Sequence, residues 1–290
     1  MTTTTEVKPA LTINKLSPNI GAEVTGIDLT QLVPASPMET LIDALHEHIF
    51  LVFRDQNLDT PEKYEAAGAL FGDLMDQDQH EIYGIEGHPK IRQLSNKLAG
   101  YDGRIDLGVP EWHTDHTHFE IPPKYTSMYP LNLPSSGGGT SFANMRIAYD
   151  RLPDARKKDI DKMRTVNVLA SSAARGAKAI VKDGMKRGGV QHTAIQPLVL
   201  THPDHGSKAL YFQAKKTENI VGMTPEETQD FFEDLLVQII QPDNSYTHTW
   251  RMGDFLIWDN RSALHKAGID FDHSQLRKFY RLTVKGHKPE

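Results

Sequence analysis

Apolar and polar residues alternate with period two over Leu11-Thr12-Ile13 and Ala22-Glu23-Val24-Thr25, which predicts two short strands bounded by Pro18, Gly21 and Gly26. The period then lengthens. Leu41, Ile42, Leu45 and Ile49 recur at helical spacing behind Ser36-Pro37-Met38-Glu39, which reads as an N-cap serine, a proline at the first helical position and a glutamate at the third. The apolar run Ile49–Phe53 predicts a buried strand. Thr60-Pro61-Glu62-Lys63 predicts a second capped helix ending before Gly72, and Thr224-Pro225-Glu226-Glu227 a third, running through Phe231, Phe232, Leu235, Leu236 and Ile239. Turn residues separate further strands around Met128–Leu131, Leu198–Leu200, Ala209–Phe212 and Phe255–Trp258. Helices gathered before a set of strands, or inserted between them, fit an α+β class better than βαβ winding.

Within that pattern, Trp112-His113-Thr114-Asp115 carries the chemistry, answered far downstream by Trp258-Asp259-Asn260 and His265. On a strand, His113 and Asp115 share one face. A second imidazole from a distant strand completes a two-His-one-carboxylate set, which leaves three positions open on an octahedral metal and suits Fe(II) with O2. A structural zinc site would draw on cysteine, and the chain has Cys 0. His-x-Asp alone is a weak pattern, since the run of His113, His116 and His118 also reads as a solvated, adventitious metal-binding loop. If the strand continues, alternation turns His116 and His118 to the other face, as rim residues rather than ligands. Tyr129, Phe142, Tyr211 and Trp258 stand at strand positions, where aromatic residues are mostly core.

Composition narrows the class only modestly. A net charge of −6 argues against nucleic acid as the main partner. Without cysteine there is no disulfide framework, and no segment reaches the roughly 18 apolar residues of a membrane span, so a cytoplasmic location and no membrane partner are expected. Met1–Pro9 reads as a disordered tail.

Other segments keep a familiar order. Gly21–Leu29, Leu51-Val52-Phe53-Arg54-Asp55-Gln56 and Phe71-Gly72 precede the His113 motif; Gly137–Met145 follows it, and Arg277-Lys278-Phe279-Tyr280-Arg281 follows His265. Together they resemble the TauD/TfdA family, the Fe(II)- and 2-oxoglutarate-dependent dioxygenases that include taurine dioxygenase and 2,4-dichlorophenoxyacetate dioxygenase. The resemblance implies a single dioxygenase domain over residues 10–290, built on a double-stranded β-helix, or jelly roll, with flanking and inserted helices. It implies that His113, Asp115 and His265 bind iron, and that Thr140 and Arg277 hold the distal carboxylate of 2-oxoglutarate. Arg281, with His80 as a looser match, would bind an anionic group of a small organic substrate such as a sulfonate, an aryloxyalkanoate or another carboxylate. The implied reaction oxidises an unactivated substrate carbon with O2, coupled to conversion of 2-oxoglutarate to succinate and CO2. A homo-oligomer, dimer or tetramer, is expected.

The chain departs from the family pattern in places. One extra residue separates His265 from Arg277, in the polar turn Asp270–Ser274; Gln196 stands where relatives often have histidine; and Ala170–Thr193 has no clear counterpart. An even spacing puts Arg277 and Arg281 on one face of a strand, about 13 Å apart at roughly 3.3 Å per residue. Arg281 is thus expected to stand clear of the 2-oxoglutarate carboxylate, or else to pair with Asp254 or Asp259. Two other classes remain at this stage: a metal-dependent hydrolase using the same triad, and a non-catalytic ligand-binding jelly roll.

Overall fold

A computed structural model of the chain describes residues 10–31, 33–77, 83–98, 107–168 and 193–290; the N-terminal tail, His80 and nearly all of Ala170–Thr193 lie outside the described residues. The first half runs β1 (Thr12–Lys15), β2 (Ala22–Thr25), α1 (Ala35–His48), β3 (Phe50–Phe53), α2 (Pro61–Ala69), β4 (Gly84–Ile85), β5 (His88–Ser95), β6 (Tyr125–Asn132), β7 (Thr140–Asn144), α3 (Met145–Asp150) and α4 (Asp154–Ile160). There follow β8 (Arg164–Val168), β9 (Thr193–Pro197), β10 (Val199–Thr201), β11 (Lys208–Leu210), β12 (Thr217–Ile220), α5 (Pro225–Ile239), β13 (Ser245–His248), β14 (Phe255–Asp259), β15 (Ala263–Ala267) and β16 (Lys278–Val284). This is a mixed helix-and-sheet fold. The larger sheet has the order β1-β2-β3-β14-β6-β16-β5-β4, and a smaller one the order β13-β7-β15. The parallel β2–β3 pair apart, the paired strands described here are antiparallel.

Strand alternation explains the layers. Along β3 and β14, Leu51, Phe53, Phe255 and Ile257 point to one face, where Leu41 and Leu45 of α1 and Tyr64 of α2 cover them. Phe50, Val52, Leu256 and Trp258 point to the other face and pack on Phe142 of β7 and Ala263 of β15. Ala143 and Leu264, the outer side of the smaller sheet, meet Phe232, Leu235 and Ile239 of α5. The sequence therefore reads as unbroken apolar runs in β3 and β14 because both their faces are buried.

Of the three helix starts predicted from cap chemistry, two are used. Thr60 accepts a hydrogen bond from the Lys63 backbone, and Thr224 with Glu227 forms a reciprocal capping box. The expected serine cap at Ser36 is not used. α1 begins at Ala35 with Pro34 as N-cap and no side-chain cap bond, and the helix is held instead by burial of Leu41, Ala44 and Leu45. Among the described residues no helix is long and apolar enough to cross a membrane.

α2 reaches the larger sheet through Gly68, where an added Cβ would lie 2.4 Å from Leu282 Cδ2 and 2.8 Å from Cδ1. Alanine is the better helix former by about 1 kcal/mol, but overpacking a closed core costs about 1–3 kcal/mol. We therefore expect Gly68→Ala to lower the urea midpoint, with a net loss of about 1 kcal/mol; a raised midpoint would show that α2 is free to slide on β16.

Candidate metal centre

His113 and His265 exchange two backbone hydrogen bonds, His113 N to His265 O at 2.9 Å and His265 N to His113 O at 2.8 Å. The side chains of this pair lie side by side, with ring centroids 4.2 Å apart. His113 Nε2 stands 3.9 Å from Asp115 Oδ1, and His265 Nε2 stands 3.8 Å from Asp115 Oδ2. All three residues are buried. Donors at about 2.1 Å from a metal sit about 3 Å apart when adjacent, so each of these two histidine–carboxylate pairs need close by less than about 1 Å to hold a divalent ion. His113 Nδ1 is hydrogen-bonded to the Glu111 carbonyl at 2.8 Å, which turns Nε2 toward Asp115. Phe142 stacks on His265, and Trp258 leans against it with centroids 4.7 Å apart.

Asp115 is oriented by a relay. Trp258 Nε1 donates to Asn260 Oδ1, Asn260 Nδ2 donates to Thr126 Oγ1, and Thr126 Oγ1 donates to Asp115 Oδ2 at 2.7 Å. Arg281 Nη2 also meets Oδ2, at 2.8 Å. With Oδ2 engaged twice, Oδ1 remains to face a cation. Asn260 stood inside a motif quoted from the sequence, but Thr126 carried no local signal, because its role depends on β6 pairing with β14.

A cavity of about 150 Å³ opens beside these residues, lined by Thr140, Met128, Gln213, Trp258, Phe271 and Arg277 among others. Thr140 Oγ1 accepts a bond from Trp250 Nε1 at 3.0 Å, which leaves its own hydroxyl hydrogen to donate. Arg277 Nε donates to Gly138 O at 3.1 Å, and its guanidinium lies 4.4 Å from the centre of the Phe279 ring. The glycine run is needed for this approach. A Cβ on Gly137 would meet Asp270 O at 2.3 Å and one on Gly138 would meet Arg277 Nε at 3.0 Å, and both backbones have positive φ. In the connection after His265, Ser274 N bonds Asp272 Oδ1, and Arg277 beyond that turn lines the cavity.

Two expectations need correcting. Arg281 pairs with neither Asp254, which holds Arg54 and His248, nor Asp259, which holds Arg261 and His202. Its partner is Asp115, at 2.8 Å. His116 is not turned away from His113 and Asp115, because the chain bends at Asp115 and His116, at φ +52°, lines the same cavity. Gln196 supports this bend by donating to the Phe119 carbonyl at 2.6 Å.

A second His/Asp group, His46, His202 and Asp204, lies elsewhere among the described residues. There the Arg261 guanidinium already donates to Asp204 at 2.8 Å and approaches His46 Nε2 at 3.3 Å. That cation does the neutralising a metal would do, so the group is an ion network.

The chain has clear relatives. The family described as "Taurine catabolism dioxygenase TauD, TfdA family" matches residues 12–283. An (S)-phenoxypropionate/alpha-ketoglutarate-dioxygenase of Sphingobium herbicidovorans is 31% identical over 97% of this chain and 96% of its own length. An alkylsulfatase of Acinetobacter baylyi is 28% identical over 95% of this chain and 85% of its own. The crystal structure of a taurine dioxygenase from Burkholderia xenovorans superposes with a TM-score of 0.79 at 28% identity, covering 97% of this chain and 91% of that one.

Burial would raise the Asp115 carboxyl, but the Arg281 guanidinium beside it holds it well below the usual range. Burial above all lowers His113, His116 and His265 below the ordinary 6.5. These imidazoles are neutral when folded and take up protons on unfolding once pH falls below 6.5. Their linkage thus destabilises the fold as pH falls through that value toward the depressed ones. The urea midpoint of metal-free protein should drop between pH 7 and about 5.5, above the range where carboxylates titrate. A flat midpoint would mean that these imidazoles keep their ordinary proton affinity.

Proposed function

This chain belongs to the TauD/TfdA family of Fe(II)- and 2-oxoglutarate-dependent dioxygenases, and from that premise we propose that it oxidises an unactivated carbon of a small organic anion. The observation that carries the substrate reading is the charge of the cavity wall. Arg92, Lys216, Arg277 and Arg281 line it, and Asp115 is the one carboxylate among the described lining residues. A wall of that sign favours a dicarboxylate cosubstrate and a second anion together. Relatives named for sulfonate, sulfate ester and 2,4-dichlorophenoxyacetate substrates support the same class.

In this reading His113, Asp115 and His265 hold the iron, Thr140 and Arg277 hold the distal carboxylate of 2-oxoglutarate, and Arg281 faces the substrate anion with His80 as a further candidate. Bound there, Fe(II) with 2-oxoglutarate and O2 supplies the oxidation, yielding succinate, CO2 and an oxidised substrate carbon. The protein orients and shields. The Trp258–Asn260–Thr126 relay holds Asp115 in one rotamer, a guanidinium fork and a hydroxyl suit a carboxylate, and Trp258, Phe271 and Met128 keep water from the reacting groups. A hydrolytic metal centre would have no use for Thr140 and Arg277 in the same cavity. We read residues 10–290 as one such domain with a double-stranded β-helix core, supported by the packing of the larger sheet on β13-β7-β15 through Phe50, Phe142 and Trp258. A cytoplasmic homo-oligomer is part of the same reading.

His113→Ala, Asp115→Ala and His265→Ala should each abolish Fe(II) binding and succinate release while the far-ultraviolet circular dichroism stays unchanged. Near-normal turnover by Asp115→Ala would sink the triad. A panel of sulfonates, sulfate esters, aryloxyalkanoates and neutral analogues, assayed for substrate-dependent succinate release, tests the substrate class; a preferred neutral or cationic substrate would overturn it.

Arg277→Ala separates cosubstrate from metal. Loss of a buried charge-assisted contact costs about 2–5 kcal/mol, roughly 30- to several-thousand-fold in 2-oxoglutarate affinity. Fe(II) affinity measured in the same titration should hardly move. If Arg281→Ala rather than Arg277→Ala removes 2-oxoglutarate binding, the two arginines have exchanged roles.

A further inference from the structure

His116 lines the cavity, yet neither the metal nor the 2-oxoglutarate reading gives it a task. Its backbone is left-handed, at φ +52°, a conformation that is costly for a residue with a side chain and persists where the surroundings impose it. Here the surroundings are visible: Phe119 stacks on the imidazole, with centroids 5.0 Å apart and planes 13° from parallel, and Phe119 N donates to His116 O at 2.9 Å. The ring is therefore held with one edge toward Arg281, His116 Nε2 lying 3.5 Å from Nη1.

The protein alone satisfies neither tautomer of this ring. A guanidinium can only donate, so pairing with Arg281 requires Nε2 to accept and puts the proton on Nδ1. Among the described residues the buried Nδ1 has no hydrogen-bond partner, so that proton has no acceptor. With the proton on Nε2 instead, two donors face each other across 3.5 Å. Turning the ring over puts Cε1–H where Nε2 stood and offers the guanidinium no acceptor at that edge. One oxygen placed between the two donors resolves it, since each can lie within ordinary hydrogen-bond reach of a shared acceptor.

We propose that His116 is a specificity-determining residue, its Nε2–H and Arg281 Nη1–H converging on one oxygen of the substrate's head group. This rests on the anionic-substrate reading above and sharpens it to an anion with a terminal oxygen: a carboxylate, sulfonate or sulfate ester.

The experiment uses the anaerobic Fe(II)·2-oxoglutarate holoenzyme, titrated calorimetrically with phenoxyacetate, hexanesulfonate and hexyl sulfate, and with phenoxyacetamide and hexanol as neutral controls. His116→Gly removes the ring and relieves the backbone; His116→Asn tolerates the left-handed conformation and keeps an amide donor. His116→Gly should weaken the anion that the wild type binds best by about 10- to 100-fold, as expected for a charge-assisted hydrogen bond. Neutral controls should bind both proteins alike, and His116→Asn should recover part of the loss. Binding by His116→Gly within threefold of wild type overturns the inference while the anionic-substrate reading stands. Loss of 2-oxoglutarate binding in the same variant also overturns it, because His116 would then be holding the Asp115 turn. If the wild type binds none of the three anions, the anionic-substrate reading fails and this inference with it.

Discussion

The reciprocal backbone pair between His113 and His265 is the contact on which the rest of the centre depends. His265 is fixed in β15 by β7, and β7 rests on the larger sheet through Phe142 against Phe50 and Trp258. His113 belongs to no named strand and has only isolated bridges to His265 and Gln213. It borrows its position from the smaller sheet. The chain can therefore turn sharply at Asp115 without losing register, because the two hydrogen bonds just before the turn anchor it.

Charge is the second constraint. A carboxylate buried with two imidazoles would protonate if left to desolvation, and the Arg281 guanidinium prevents that. The same arginine extends its other terminal nitrogen toward His116, so the Asp115 carboxylate and the cavity wall share one cation. Such sharing couples the two. A change in the charge that Asp115 feels alters what Arg281 can offer a ligand, through one rigid group rather than through a chain of residues.

Close backbone approach is the third. Gly137 and Gly138 let the segment before β7 pass against Asp270 and Arg277, so the strand that presents Thr140 and the connection that presents Arg277 meet over one cavity. Thr140 and Arg277 come from distant parts of the chain, and two missing Cβ atoms allow them to converge.

Local sequence determined whatever depends on neighbours within a few residues. The caps at Thr60 and Thr224, the helical spacing of α5 and the two-face burial of β3 and β14 were legible because period and cap chemistry are local. The His113, Asp115 and His265 set was legible through the order of the motifs around a pattern that is weak alone, and the structure brings its ligand atoms within 4.8 Å of one another. What tertiary structure alone decided was every relation across strands. Alternation put His116 on the far face, and the bend after Asp115 returned it to the cavity, because a period-two argument ends where the strand does. For Arg281 the sequence offered a substrate anion or, as the alternative, Asp254 or Asp259, whereas the structure sets it against Asp115, from a segment far upstream, by the way β16 pairs with β6. Thr126 gave no sign of its role, since a buried threonine is ordinary until the fold sets a carboxylate 2.7 Å from its hydroxyl.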